Sequence, residues 1–423
     1  MADKKFTVAI IGIGGRGGDT YGSLMNDNPE KWDIVALCDL KPDRLALFGE
    51  KFGVTQENLF TDEKVFFEKK RADILVIATP DADHIRHTTY AFNLGYDVML
   101  EKPITDKKKE LTELLKLQKK TGCKALVCHV LRYAPAFVKV AEMLESGSIG
   151  KLVAIQALER VGFHHQAHSY VRGNWRRSED STPMILAKCC HDLDLLQFYA
   201  NSKCETVSSV GELTYFKKEN MPEGAAERCL DCKYVDTCHA SAKRYYIDGW
   251  KKIGSPEDLW PFNILTLAPL TEEKLEKALQ DGPYGKCAFR CDNNVVDHQL
   301  TQMTFKNGVK ATLTMTAFTA KGGRRIDFFG THGQICLDEQ SNSIYVGIYG
   351  KDVETIQLQD LTEKGYGHGG GDFHLINSLY DMLQGKCSQK TSLDCSVESH
   401  LIGIAAEKSR KAGGKLVKVH KEK

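Results

Sequence analysis

A glycine-rich turn between an apolar strand and a helix constrains this chain more than any other feature. Residues 7–11 form a short β-rich run, residues 12–17 read Gly12-Ile13-Gly14-Gly15-Arg16-Gly17, and a helix-compatible stretch follows to about Met25. Gly12 permits the tight turn, Gly14 lets backbone approach a pyrophosphate, and Gly17 allows close packing of helix on strand. Unpaired N–H groups and the dipole at the helix N-terminus then favour an anion. A second strand over 34–38 ends at Asp39. A carboxylate there suits the hydroxyls of an adenosine ribose and repels a 2′-phosphate, so NAD(H) is expected over NADP(H), with Lys41 the one nearby cation.

The pattern continues. A strand over 73–78 ends in Thr79-Pro80, a helix over 83–94 carries His84 and stops at Gly95, and a strand over 97–100 runs into Glu101-Lys102-Pro103. A charged helix over 106–120 and a strand over 124–129 follow. Strands alternating with helices at this spacing predict a parallel, doubly wound sheet over residues 1–125. The chain has 423 residues, more than one core usually organises, so 126–423 is expected to form a second domain.

That second part reads differently. Strand patterns recur at 152–161, 207–216, 296–305, 310–318, 325–329 and 334–337, with helices at 135–145, 183–199, 372–383 and 396–411. Short connections such as Lys306-Asn307-Gly308 predict a large, mainly antiparallel open sheet. Such a sheet needs its second face covered, which predicts a homodimer or homotetramer. Lys plus Arg number 57 against 56 Asp plus Glu, so nothing marks a binder of nucleic acid or of an anionic membrane. No apolar run approaches the ~18 residues of a spanning helix, and the N-terminus has no signal-peptide pattern, so a cytoplasmic protein is expected.

In that setting the 14 cysteines read as thiols or metal ligands. An insertion over about 217–293 carries Cys229-x2-Cys232-x5-Cys238 and Cys287-x3-Cys291. Cys229, Cys232, Cys238 and Cys291, with Cys287 in reserve, are the expected ligands of one structural zinc; an iron–sulfur cluster uses the same donors.

Glu101-Lys102-Pro103 after the fourth strand, together with Gly12–Gly17, Ala78-Thr79-Pro80, Arg132-Tyr133-x-Pro135 and His191-Asp192-Leu193-Asp194, resembles the glucose–fructose oxidoreductase/inositol dehydrogenase (Gfo/Idh/MocA) family. The resemblance covers nearly the whole chain apart from the cysteine insertion. It implies a Rossmann domain joined to an α/β domain, and NAD-dependent chemistry at a carbinol of a sugar or cyclitol. It further implies that Lys102 hydrogen-bonds the reacting oxygen, with its pKa lowered by burial, and that His191 takes the proton. Thr79, Pro80, His84, Glu101 and Lys102 are expected beside the cofactor, and Arg132, Tyr133 and Asp192 beside the substrate.

Polyol-oxidising members of that family often carry Asp four residues before the histidine; here that position is Ala187, followed by Lys188. One helical turn before His191, Lys188 is expected to favour an oxyanion or to depress the pKa of Lys102. The segment His164 to Arg177 is dense in donors and aromatics, with His168, Tyr170, Arg172, Asn174 and Trp175 as carbohydrate-binding candidates. Gly367-His368-Gly369-Gly370-Gly371-Asp372 opens a helix and offers His368 as a further proton carrier, with Asp372 also a good N-cap. That pattern resembles the family's redox glycosidases, which recycle NAD through a 3-keto sugar. Three readings follow: an oxidoreductase acting on a ring hydroxyl at C3, a redox-neutral glycosidase, and a non-catalytic NAD-binding regulator.

Overall fold

The computed structural model describes residues 4–361 and 367–420. Six strands, β1 (Phe6–Ile11), β2 (Trp32–Cys38), β3 (Leu59–Phe60), β4 (Ile74–Ile77), β5 (Asp97–Leu100) and β6 (Ala125–Val127), form one sheet in the order β3-β2-β1-β4-β5-β6. Every pairing in it is parallel. β4 is buried from Ile74 to Ile77, as expected for a central strand covered on both faces. The order reverses between β1 and β4, and the glycine turn leaves the carboxyl end of β1 at that reversal, where open α/β sheets bind ligands. The Rossmann expectation holds.

Nine strands form the second sheet: β7 (Leu152–Arg160), β8 (Cys204–Glu212), β9 (His298–Phe305), β10 (Lys310–Thr316), β11 (Gly323–Gly330), β12 (Gly333–Asp338), β13 (Ser343–Ile348), β14 (Glu354–Gln357) and β15 (Val417–Lys418). Their order is β14-β13-β12-β11-β7-β10-β9-β8-β15. All pairs are antiparallel except β7 with β10. Along β11, Arg324, Ile326 and Phe328 point inward while Arg325 and Phe329 face outward. The inner face packs on the helices Cys190–Ala200 and Leu393–Lys411. The expected mainly antiparallel sheet is present; β13 and β14 extend it beyond the strands expected from the sequence.

One expected element breaks. The single helix over 183–199 is two, Met184–Ala187 and Cys190–Ala200, separated at Lys188 and Cys189. The strand expected to run to 216 ends at Glu212, where Asp297 takes over the backbone: its carboxylate accepts from the N–H groups of Thr214 (2.9 Å) and Tyr215 (2.7 Å).

The two sheets are joined through polar contacts made by their loops. Thr391 O accepts from Val127 N at the free edge of β6. His400, buried in the helix Leu393–Lys411, accepts from Ile104 N (2.8 Å) and donates from Nδ1 to Ser396 O (2.7 Å). Asp81, just past Pro80, accepts from Trp175 Nε1 (3.0 Å) and Thr182 Oγ1 (2.9 Å).

His400 and two other buried histidines, His87 and His168, are kept neutral by burial. Burial and then the charge of Arg86 take His87 down to about 4; burial and then Arg172 take His168 to about 3; burial and then His129 take His400 to about 3. Unfolded, each titrates near 6.5. Below that pH the unfolded chain binds more protons than the folded one, so stability is complete above 6.5 and falls as the pH drops toward 3–4. The melting temperature is expected to decline from about pH 6.5 downward, before carboxylate protonation begins; a flat value between about pH 7.5 and 5 would contradict this assignment.

Candidate active site

The glycine turn is shaped by close backbone contact. Gly12 has φ +86°, and a side chain there would begin 2.6 Å from the Ala78 backbone; one at Gly17 would begin 2.0 Å from Gly12 O. Gly14 and Gly15 differ: side chains there would meet nothing nearer than 3.6 Å. The turn therefore presents bare backbone N–H groups, with Arg44 and Ile264 close by, at the N-terminus of the helical segment Gly15–Gly22, a cradle whose donors suit a pyrophosphate. Asp39 accepts from Ile13 N (2.7 Å) and Lys41 N (3.0 Å), which fixes the carboxylate beside the turn. Arg44 Nη1 lies 3.6 Å from where a Gly14 side chain would begin, a cation absent from the sequence reading. Its place on the first turn after Asp39 was the available signal. These residues suit the dinucleotide that their motif predicts.

Arg16 leaves the turn sideways. Its Nε donates to Glu101 Oε1 (2.9 Å), its Nη2 to Asp372 Oδ1 (2.6 Å), and its guanidinium also contacts the Tyr21 hydroxyl. Burial pushes the Glu101 and Asp372 carboxyls up, yet the Arg16 charge, with Lys102 at Glu101 and His368 at Asp372, holds both below the usual carboxylate range. Arg16 and Glu101, both named with the cofactor motifs in the sequence, pair with each other beside the glycine turn. The ring of His84 lies between Pro103 O (2.6 Å) and Thr79 O (2.8 Å), and Thr79 Oγ1 hydrogen-bonds His87 (3.0 Å). The His84 ring thus ties the backbone at Thr79 to Pro103, next to Lys102.

Lys102 Nζ donates to Ala187 O (3.4 Å), at the end of the short helix before His191. Burial, and then the charges of Lys102 and Arg324, hold the His191 ring well below the ordinary histidine value, so His191 rests neutral. His368 stands 6.4 Å from it, ring to ring, and donates from Nδ1 to Asp372 Oδ2 (2.8 Å). Lys102, His191 and His368 converge.

Lys188 does not stand as a free cation. Its Nζ pairs with Glu159 Oε1 (3.4 Å) on β7, and Glu159 also pairs with Arg324 Nη2 (2.9 Å) from β11. Arg324 Nε donates to Asp192 Oδ1 (2.8 Å). Asp192, expected at the substrate, is buried in this network, where desolvation and Glu159 push its carboxyl up. Glu159 and Arg324 are the carboxylate and cation the sequence reading missed; they reach the site across strands, and no local pattern marks them.

Other expected substrate residues are engaged elsewhere. Arg132 makes a two-pronged pair with Asp194 (2.7 and 2.9 Å) in the interior, and the Tyr133 hydroxyl hydrogen-bonds Thr391 (2.9 Å). Arg172 donates to Lys286 O (2.8 Å) and Ala240 O (2.7 Å) beneath the insertion. Trp175 binds Asp81, and Asn174 is exposed. Tyr170 and His168 are buried, with His168 Nδ1 on the Tyr246 hydroxyl (2.8 Å). His165 packs edge-on against Trp260 (5.2 Å), and burial, then the charge of Lys188, holds its ring well below the ordinary histidine value.

The cysteine expectation needs correcting. Cys229, Cys232, Cys238 and Cys287, not Cys291, line one small apolar cavity with Pro222, Val235 and Phe289. Cys291 instead donates to Cys287 O (3.4 Å). Among the described residues no group of three or more His, Cys, Asp or Glu side chains is arranged to hold a metal ion, so the structural zinc is not supported. Burial raises the Cys238, Cys287 and Cys291 thiols, and as neutral thiols they pack as small apolar groups.

Comparison with known proteins agrees with this geometry. Residues 6–129 match the model of an oxidoreductase family with an NAD-binding Rossmann fold, and residues 141–419 match that family's C-terminal α/β domain. YteT of Bacillus subtilis (strain 168) is 24% identical over 383 residues, 84% of each chain. D-glucoside 3-dehydrogenase of Escherichia coli (strain K12) is 24% identical over 164 residues, 38% of this chain and 46% of that one. The structure of levoglucosan dehydrogenase with NADH and levoglucosan superposes with a TM-score of 0.72 at 17% identity, covering 99% of this chain and 100% of that chain, a likeness of fold. With both of its domains matched in order, the chain belongs to the Gfo/Idh/MocA family of NAD-dependent oxidoreductases.

Proposed function

We propose that this protein oxidises a ring hydroxyl of a sugar or glycoside with NAD(H), at C3. The observation that carries the reading is the buried, neutral His191, on which the Lys102 charge acts and whose Nδ1 has no partner among the described residues. Bound NAD would accept the hydride from the carbinol carbon. Lys102 would donate a hydrogen bond to the hydroxyl oxygen and stabilise the negative charge that develops there, while His191 takes the hydroxyl proton. The choice of C3 draws on the relative named D-glucoside 3-dehydrogenase, and a glycoside-like substrate on the neighbour solved with levoglucosan.

A redox-neutral variant is favoured by one feature, the His368–Asp372 pair 6.4 Å from His191. It supplies a second proton carrier, which removal of a C2 proton from a 3-keto sugar and elimination of the C1 substituent would require. Lys188, neutralised by Glu159, serves in either case to position that carboxylate and Arg324 around the site. The outward face of the second sheet, with Val210, Leu300 and Phe329 exposed, suits association between copies of this chain.

Three outcomes are expected. Lys102→Ala and His191→Asn should each lower turnover by ~10²–10⁴ while NAD binding, measured by calorimetry, persists. In deuterated buffer, a redox-neutral enzyme exchanges the C2 hydrogen of its substrate and releases aglycone without accumulating NADH. His368→Asn should then remove exchange but leave a single-turnover hydride transfer; NADH rising in step with ketosugar selects the dehydrogenase instead. Leu300→Lys should lower the mass measured by sedimentation, and an unchanged mass would place the interface elsewhere.

A further inference from the structure

His129 leaves the parallel sheet at the same end as Lys102. Val127 of β6 lies opposite Leu100 of β5, and Cys128 N donates to Leu100 O (2.9 Å), so the residues that follow the two strands emerge together at the carboxyl edge. His129 is 1% exposed, and neither of its ring nitrogens has a hydrogen-bond partner among the described residues. Sealing a polar ring away from water without partners costs stability, so packing alone would favour an apolar side chain there. Two histidines and a carboxylate face the ring. His400 stands 6.0 Å away, ring centre to ring centre, but both of its nitrogens are already engaged, with Ile104 N and Ser396 O. Asp194 Oδ2 lies 3.9 Å from His129 Nδ1 and is itself held by both prongs of Arg132. His191 meets the ring edge-on at 6.0 Å, and its Nδ1 is sealed and unpartnered too.

His191 and Asp194 lie three residues apart on the helix Cys190–Ala200, so they share a face, and His129 packs against both. Burial first, and then the opposed charges of Asp194 and Arg132, hold His129 below the ordinary histidine value, with Lys102 and Glu101 also acting on it. The ring is therefore neutral: one nitrogen carries a proton and the other accepts. The Asp194 carboxylate favours the proton on Nδ1, which leaves Nε2 as the acceptor. We propose that His129 is a positioning residue for His191, accepting from its Nδ1–H and so keeping the other nitrogen of His191 free to act as the base. This rests on the proposed function above and deepens it. Asp194, held by Arg132, sets the tautomer of His129, and His129 sets that of His191. At turnover the O–H bond of the carbinol breaks as hydride leaves its carbon for NAD. The proton goes to His191 Nε2, and the imidazolium so formed keeps its Nδ1 proton directed at His129, with Asp194 behind it as the counter-charge. The separations, 3.9 Å to Asp194 and 6.0 Å between ring centres, are looser than hydrogen bonds, and such contacts tighten as substrate closes the site.

The tautomer of His191 is the direct readout, and it needs neither cofactor nor substrate. Full-length protein carrying nitrogen-labelled histidine is compared by NMR with His191→Asn, whose missing signals assign that ring. The expected signature is a single tautomer with the proton on Nδ1; in His129→Phe the proton moves to Nε2 or is shared between the two nitrogens. Turnover of His129→Phe should fall by about 10–100-fold with KM and NAD affinity little changed. His129→Gln, whose amide oxygen can accept the same bond as Nε2, should recover most of that loss. The wild-type tautomer decides even if His129→Phe fails to fold. A wild-type His191 protonated on Nε2, or equal losses in the Phe and Gln variants, overturns the inference. Sugar oxidation that needs His191 but not His129 overturns this inference alone, whereas protein that oxidises no carbinol overturns the proposed function and the catalytic part of this inference with it.

Discussion

Arg16 stands where three distant parts of the chain meet. Its guanidinium joins the glycine turn after β1 to Glu101 at the end of β5 and to Asp372 on the helix Gly371–Leu383. Both carboxylates are almost fully buried, with side-chain exposures of 7% and 2%, so neither tolerates loss of its cation. Removing one partner of such a pair typically costs about 3–5 kcal/mol, because a desolvated charge is left unmatched. The constraint also works geometrically. Lys102 follows Glu101 directly, and His368 is bound to Asp372, so one guanidinium sets the spacing between the cofactor turn and two of the site's proton-handling side chains.

Around that anchor the site balances its charges in a way that leaves His191 neutral. Lys102, Lys188 and Arg324 supply three cations; Glu159 and Asp192 absorb two of them in a buried network on the inner face of the second sheet. Lys102 and Arg324 still act on His191 and, together with burial, keep its proton off. A base that starts neutral next to a cation that holds the oxygen is the combination needed to deprotonate a hydroxyl as hydride leaves its carbon. The missing carboxylate at Ala187 is consistent with this arrangement: Glu159 reaches the neighbourhood from β7 and pairs with Lys188.

The insertion is a second, smaller core. Its apolar residues and thiols bury one another, Arg172 secures its base through backbone carbonyls, and Ile264 lies near the glycine turn at Gly15.

What the sequence by itself determined is whatever depends on neighbours along the chain. The alternation of strand and helix, the glycine turn at Gly12 and Gly17, and the loop positions of Lys102 and His368 follow from local periodicity and backbone sterics, and these were legible. The tertiary structure decided which side chains those positions meet. Arg132 pairs with Asp194, Arg16 with Asp372, Lys188 with Glu159, and Cys287 takes the place expected of Cys291. The helix expected to carry Lys188 and His191 together breaks between them. Each of these outcomes is set by residues far apart in sequence, brought together by sheet register and by the need to match every buried charge. That need is felt only once the chain has closed around it, and no local pattern records it.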